Sequence, residues 1–410
     1  MSNAVPQFPF GWEQGTEDED PIYTELRRER AVCPVRLGDR SHAWLVTRYA
    51  DIAAAMSDPA FSRTGTLMNP EPIPEERDKI SLELLRRSPD LLINMDPPRH
   101  EVVRALIDDA LVPRIRSAHQ DVRRRAHESF DRMTGHSLPV DLISIFAIPF
   151  SVAVVCDLLD VPESDRDPFL TLAEAAYGRT ATPDDLQRLF RPVCEVIDTL
   201  VSARTANPGT DLISAMATAR RGTDRLRRGE LLGNLLAFVV AGVNNTATVL
   251  GDHVVTLLRD PDQLTVFKQQ QRPRLNAVEE LLRFSRTQNF TFFRIAVEEC
   301  ELGGVRIKPG EHVIPVNQSG DRDERVHRAP HEMDITRQDM APILSLGVGP
   351  HRCAAADLVR IVLEEALSGL FTRFPDLRLA VPSDQLVWQE PALLRALRTL
   401  PVLWTPQDGH

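Results

Sequence analysis

One segment of the 410-residue chain could do chemistry by itself: Leu346-Gly347-Val348-Gly349-Pro350-His351-Arg352-Cys353-Ala354-Ala355-Ala356-Asp357-Leu358. Glycines let a backbone fold closely around a sulfur. A helix starting after Cys353 would aim amide hydrogens and its positive dipole end at that sulfur, favouring thiolate over thiol. Such a thiolate suits axial ligation of haem iron. A buried structural cysteine beside a glycine turn would look the same in this segment alone, so other segments have to decide. Cys33, Cys156, Cys194 and Cys300 form no CxxC unit for zinc, and an odd, scattered set of cysteines points to a reducing compartment, not a disulfide framework.

Three further groups carry chemistry. Glu280-Leu281-Leu282-Arg283 puts a carboxylate and a guanidinium one helical turn apart, on one face. In Met95-Asp96-Pro97-Pro98-Arg99-His100-Glu101-Val102-Val103-Arg104, Asp-Pro-Pro can stop the preceding chain and start a helix, after which His100 and Arg104 lie one turn apart. Two cationic donors on one face can hold carboxylates. The apolar run from Ala237 to Thr248 carries Asn244, Asn245 and Thr246; the two amides can hydrogen-bond water but cannot ionise to resupply protons. Taken singly, these groups read equally as a surface ion pair, surface charges and satisfied helix polarity.

In chain order, DPPxHxxxR, ExxR and GxGxHxC make the chain resemble the bacterial cytochrome P-450 family, the haem-thiolate monooxygenases. The resemblance implies a mostly α fold with a small β portion and haem b (iron protoporphyrin IX) as cofactor. By the same resemblance Cys353 is the iron ligand, His100, Arg104, Arg294 and His351 hold the haem propionates, and Glu280 and Arg283 form a structural pair. Residues 237–248 resemble the long helix that passes over the haem, where relatives carry an acid and then Thr. Asn244 and Asn245 stand at those positions with Thr246 next, and these three are the catalytic candidates for proton delivery to dioxygen. Leu346 replaces a usual Phe, Ala355 a usual Gly and Val362 a frequent Glu.

Substrate is implied to lie against residues 63–92, 170–179, 239–244, 288–293 and 388–391, with Arg63, Val243, Gln288, Asn289, Thr291, Phe292, Gln389 and Glu390 as contacts. Donors and acceptors mixed with the flat walls of Phe290, Phe292, Tyr177 and Trp388 suit an amino acid, a cyclic dipeptide or another heteroaromatic metabolite better than a fatty acid or terpene. Residues 288–291 with Ala355 are similar to tryptophan-nitrating members; members that couple tryptophan-containing diketopiperazines compare equally well. The implied function is dioxygen-dependent oxidation of a small nitrogen-containing aromatic substrate in specialised-metabolite biosynthesis, by oxidative coupling of an indole or diketopiperazine. Conventional hydroxylation, aromatic nitration and a non-catalytic haem-binding sensor are the alternatives. Electrons are implied to come from ferredoxin and ferredoxin reductase. Arg114, Arg116, Arg123, Arg124, Arg125, Arg352 and Arg360 could make a docking face for such an acidic carrier, or simply a solvated helix face.

These residues need elements to position them. Leu142 to Leu158 and Leu231 to Leu250 are the most apolar stretches; Pro149 interrupts the first, and Asn234, Asn244 and Asn245 the second, so both read as buried helices and not membrane spans. A hairpin is expected at about 31–47, a helix-rich core over 95–290 and a strand-rich, ligand-bearing region over 291–410. Within that region Glu299 to Val316 alternates short strand-like runs with Gly303-Gly304 and Pro309-Gly310 turns. Loops at 69–75, 207–209 and 220–229 are too short to be interdomain linkers, so residues 1–410 are expected to form one domain although the length would allow more. A hydrophobic share of 42% supports a sizeable core, and the net charge of -11 argues against broad nucleic acid binding. The acidic N-terminus lacks the basic-then-apolar order of a signal peptide, so a cytoplasmic location without membrane attachment is expected.

Overall fold

The computed structural model describes residues 5–8, 10, 21–38, 41–68, 88–178, 181–270, 274–285, 287, 291–338, 340–389 and 395–406. After α1 (Pro21–Glu29), alternating apolar residues form the antiparallel hairpin β1 (Val32–Arg36) and β2 (His42–Val46), with Cys33 opposite Leu45. Then follow α2 (Tyr49–Ser57), β3 (Phe61–Ser62) and α3 (Gly65–Met68).

The helices that build the core come next. Pro97-Pro98 leads straight into α4 (Arg99–Thr134), and β4 (Val140–Asp141) and α5 (Ile148–Leu158) follow it. Pro149 sits in the first turn of α5, where its missing N–H costs nothing. Next are α6 (Asp167–Gly178), α7 (Pro183–Ala206), opened by a Thr182–Asp185 capping box, and α8 (Leu212–Thr218). Then α9 (Arg228–Arg259), α10 (Pro261–Gln269) and α11 (Leu275–Phe284) complete this part.

By length and composition α9 could cross a membrane, but it packs against α5, α7 and α13 (Ala356–Arg373) as a core helix. Val103 and Ile107 of α4, Leu235 and Val243 of α9, and Leu363 and Leu370 of α13 share one apolar cluster. Phe130, Phe146 and Phe150 stack through it with ring centroids 5.2 and 5.3 Å apart.

Strands β5 (Arg294–Ala296), β6 (Cys300–Leu302), β7 (Val305–Ile307) and β8 (His312–Pro315) precede the short α12 (Asn317–Gly320). The main sheet runs β1-β2-β8-β5-β3, and β2 pairs with β8 in parallel, so the N-terminal hairpin and the late strands share one sheet. In a second sheet, β4-β10-β9, the late strand β10 (Pro401–Leu403) pairs with β9 (Arg378–Leu379) and with β4, just ahead of the helical turn that leads into α5. The helix expected after Cys353 is α13, and it lies among these late strands. The architecture is mostly α with small sheets.

Two buried histidines make stability depend on acid. His253 in α9 and His327 are 0% and 1% exposed, and burial pushes both pKa values down from 6.5 to about 4, helped at His327 by the charges of Arg283 and Arg337. The folded state prefers the neutral rings, whereas the unfolded chain takes up protons below about pH 6.5. Their contribution is therefore complete above pH 6.5 and is lost as pH falls toward 4, by about 1.4 kcal/mol per pH unit for each ring. We expect the urea midpoint to fall over that window and the slope to lessen in His253→Gln; a midpoint constant from pH 7 to 4.5 refutes this.

Candidate functional site

The cysteine loop is set by its backbone. Gly347 and Gly349 adopt φ of +74° and +69°, a region most side chains avoid, and a Cβ on Gly349 would lie 2.6 Å from Ser57 Oγ at the end of α2. The Cys353 N–H donates to Leu346 O at 2.8 Å, closing the loop, and α13 begins three residues later. Cys353 is half-buried, and burial raises its thiol pKa. The Ala355 N–H and the charges of Arg104, Arg352 and Arg360 pull the other way. Deprotonating a sulfur so placed calls for a bound metal cation, which removes the thiol proton outright. Among the described residues no group of three or more His, Cys, Asp or Glu side chains could hold a metal ion, so a thiolate site here rests on one sulfur.

Beside the loop, distant segments bring cations together. His100, in the first turn of α4, is 2% exposed and its ring centroid lies 4.4 Å from that of His351. Neither nitrogen of His100, nor Nδ1 of His351, has a hydrogen-bond partner among the described residues. Burial, with Arg104 and Arg294 nearby, lowers the His100 pKa to about 4; burial and then Arg294, His100, Arg63 and Arg104 lower that of His351 to about 2. Buried ring nitrogens without partners are rare in a finished structure, and next to Arg294 and Arg63 they mark a place for anionic groups. The two carboxylates of haem fit it.

Two arginines make contacts the sequence did not anticipate. Arg104, near enough to His100 and His351 to lower both pKa values, also donates from Nε to Asp108 at 2.8 Å and from Nη1 to Arg352 O at 2.6 Å, so it braces the cysteine loop from behind. Arg63, expected against substrate, is 1% exposed and donates to Ile93 O at 3.1 Å, Asn94 Oδ1 at 3.1 Å and Phe293 O, with Phe292 under its guanidinium. Those contacts brace the wall of the cation cluster, and sequence reasoning missed that placement because the partners are remote in the chain.

Glu280 and Arg283 are both 0% exposed and joined by two hydrogen bonds of 2.7 and 2.8 Å. Arg283 also donates to Asp321 O and Pro330 O at 2.9 Å. The Asp321 carboxylate accepts from the N–H groups of Leu344 and Ser345, just before the cysteine loop. The pair therefore anchors the chain that delivers Cys353.

On α9, Ala241 and Asn245 are exposed one turn apart on one face. A cleft lies between α6, α7 and α9, lined by residues including Phe169, Leu172, Phe190, Val240, Val243 and Asn244. The side chains of Asn244, Asn245 and Thr246 make no hydrogen bond to the described residues. This lining corrects the expected polar wall: Gln389 spends its amide on Tyr177 O at 2.8 Å, and Thr291 is buried with its N–H on Pro315 O. Gln288, Asn289, Phe290, Glu390, Pro391 and Arg179 lie outside the described residues.

The basic face is also thinner than its sequence. Arg114 pairs with Asp160, Arg123 with Glu365, Arg124 with Glu128, Arg125 with Asp157 and Arg360 with Glu279. Arg116 is exposed with no ion pair among the described residues, and exposed Arg352 has only Asp357 at 3.9 Å.

The chain is similar to known proteins over nearly its whole length. The cytochrome P-450 family model matches residues 183–374. Nocardicin C N-oxygenase of Nocardia uniformis subsp. tsuyamanensis is 34% identical over 97% of this chain and 98% of its own. Among solved structures, the LnmA hydroxylase of the leinamycin biosynthetic pathway from Streptomyces atroolivaceus superposes with a TM-score of 0.86 at 34% identity, covering 98% of this chain and 100% of its own. Cytochrome P-450mel 107F1, described as having biaryl coupling reactivity, superposes with a TM-score of 0.85 at 32% identity over 98% of this chain and 100% of its own.

Proposed function

The chain belongs to the cytochrome P-450 family of haem-thiolate monooxygenases, and from that premise we propose that it oxidises a small nitrogen-containing aromatic substrate of specialised metabolism, by oxidative coupling of an indole or diketopiperazine. Its cofactor is haem b. Cys353 is proposed as the iron ligand, and His100, His351 and Arg294, backed by Arg63, as the holders of the propionates. When bound, haem supplies the iron at which dioxygen is reduced and activated against a C–H or N–H bond.

The protein's own part is positioning and exclusion. Gly347 and Gly349 let the loop wrap the sulfur, while the Ala355 N–H and nearby arginines stabilise its negative charge. Phe169, Leu172 and Phe190 keep bulk water from the α9 face and offer flat apolar walls to an aromatic substrate. Asn244 and Asn245 orient water but hold no proton to give up, so proton supply falls to ordered water, to Thr246 or to a substrate N–H.

The observation that carries the reading is an aromatic cleft roofing a helix whose acid–alcohol pair has become two amides. Two relatives lean the same way: one is named for N-oxygenation of nocardicin C, another for biaryl coupling. Electron delivery from ferredoxin and its reductase is proposed to use the face where Arg116 and Arg352 remain exposed.

Turnover under ¹⁸O₂ with cyclic dipeptides and aromatic amino acids tests the proposal. A product of twice the substrate mass less two hydrogens, without ¹⁸O, is expected. One ¹⁸O per product identifies hydroxylation instead, and electron uptake unchanged by every substrate removes the enzymatic assignment of this substrate class.

A further inference from the structure

We propose that Asn244 sets substrate choice by pairing its carboxamide with a cis-amide edge of the substrate, as in a cyclic dipeptide; the inference rests on the substrate class proposed above. Among the described residues lining the cleft between α6, α7 and α9, Asn244 alone is polar, and it has no hydrogen bond to the described residues. Around it stand Phe169, Leu172, Phe190, Val240 and Val243.

A primary carboxamide presents an acceptor and a donor side by side. In an ordinary trans peptide the N–H and C=O point in opposite directions, so it can satisfy only one of them. A ring that forces the amide cis turns both groups to the same side, and two parallel hydrogen bonds then close an eight-membered ring with Asn244. Apolar surroundings make this discriminating, because a ligand that fills the cleft but leaves either atom of the carboxamide unpaired strands a desolvated polar group. The acid that relatives carry at this position offers acceptors only and could match the N–H but not the C=O. The substitution that removes a proton donor from α9 therefore creates a two-way recognition edge. The aromatic substituents of a cyclic dipeptide would lie against Phe169 and Phe190.

The test uses the haem-loaded protein and calorimetric titration with cyclo(L-Trp-L-Trp) and its N,N′-dimethyl analogue, which keeps the ring but loses both N–H donors. Wild type is expected to bind the parent compound at least about tenfold more tightly than the analogue. Asn244→Leu should erase the difference, and Asn244→Asp, of nearly the same volume, should lower affinity for the parent. An unaltered reduced carbon monoxide spectrum establishes that each variant retains its haem site. Equal affinities in wild type, or a preference that persists in Asn244→Leu, overturn the role of Asn244 and leave the substrate class standing. Failure of both compounds to bind wild type overturns the cyclic-dipeptide reading and this inference together.

Discussion

Cys353→Ala is expected to abolish the thiolate-type absorption of the reduced carbon monoxide adduct and to lower substrate turnover by more than about 10²-fold, since losing even an outer-shell partner of a metal site costs 10- to 100-fold. The variant should still fold. The loop is held by backbone features that alanine keeps: the two positive-φ glycines, the Cys353 N–H on Leu346 O and the packing of Gly349 on the end of α2. Far-ultraviolet circular dichroism close to wild type, with the thiolate band gone, is the expected pair of results. No other cysteine is prepared to take over. Burial drives the Cys33 thiol to about 11 and the Cys156 thiol to about 12, both inside apolar clusters, and it raises the thiols of Cys194 and Cys300 as well, none of them in the glycine loop that begins at Leu346. A thiolate-type band that survives Cys353→Ala would therefore refute the ligand assignment outright.

What could be read in the sequence was chemistry written within a few consecutive residues. The glycines and Cys353 share one loop, Glu280 and Arg283 share one helical turn, and the Val32–Val46 hairpin shows its alternation locally. What could not be read depends on contacts between remote segments. Arg63 gained its position from Ile93, Asn94 and Phe293, none of which its own neighbourhood predicts. Arg104 shares a helix face with His100, yet it also donates to Asp108 one turn further on and to the remote Arg352 O. The docking arginines looked concentrated because their acidic partners, Asp157, Asp160, Glu279 and Glu365, are distant in sequence and adjacent in space. The cleft was legible in part: residues 170–179 and 239–244, expected against substrate, line it, whereas its closure by Phe169 and by Leu186 and Phe190 of α7, which leaves Asn244 among aromatic and aliphatic groups, depends on packing.

Arg283→Ala is expected to destabilise the protein by about 3–5 kcal/mol, the cost of breaking a buried ion pair from one side. The substitution strands more than the charge on Glu280. Arg283 donates to the carbonyls of Asp321, Pro330 and Glu332 as well, so three acceptors lose a donor at once, and a cavity replaces the guanidinium. Glu280 itself keeps Arg337 Nε at 3.1 Å and the Asp334 N–H at 2.9 Å, which holds the loss within that range. Because the Asp321 carboxylate carries the N–H groups of Leu344 and Ser345, loosening this segment reaches the cysteine loop. The damage should therefore appear twice, as a lower urea midpoint and as partial conversion of the reduced carbon monoxide adduct to a form without thiolate ligation. Arg283→Lys should recover only part of either signal, since one ammonium cannot span the carboxylate of Glu280 and three carbonyls arranged for a planar fork. Arg337→Ala, removing a partner that is itself one-tenth exposed, should cost less than Arg283→Ala. An Arg283→Ala protein within about 1 kcal/mol of wild type, with its thiolate band intact, would show that the pair is dispensable and that the chain before Cys353 is held by the Asp321 contacts alone.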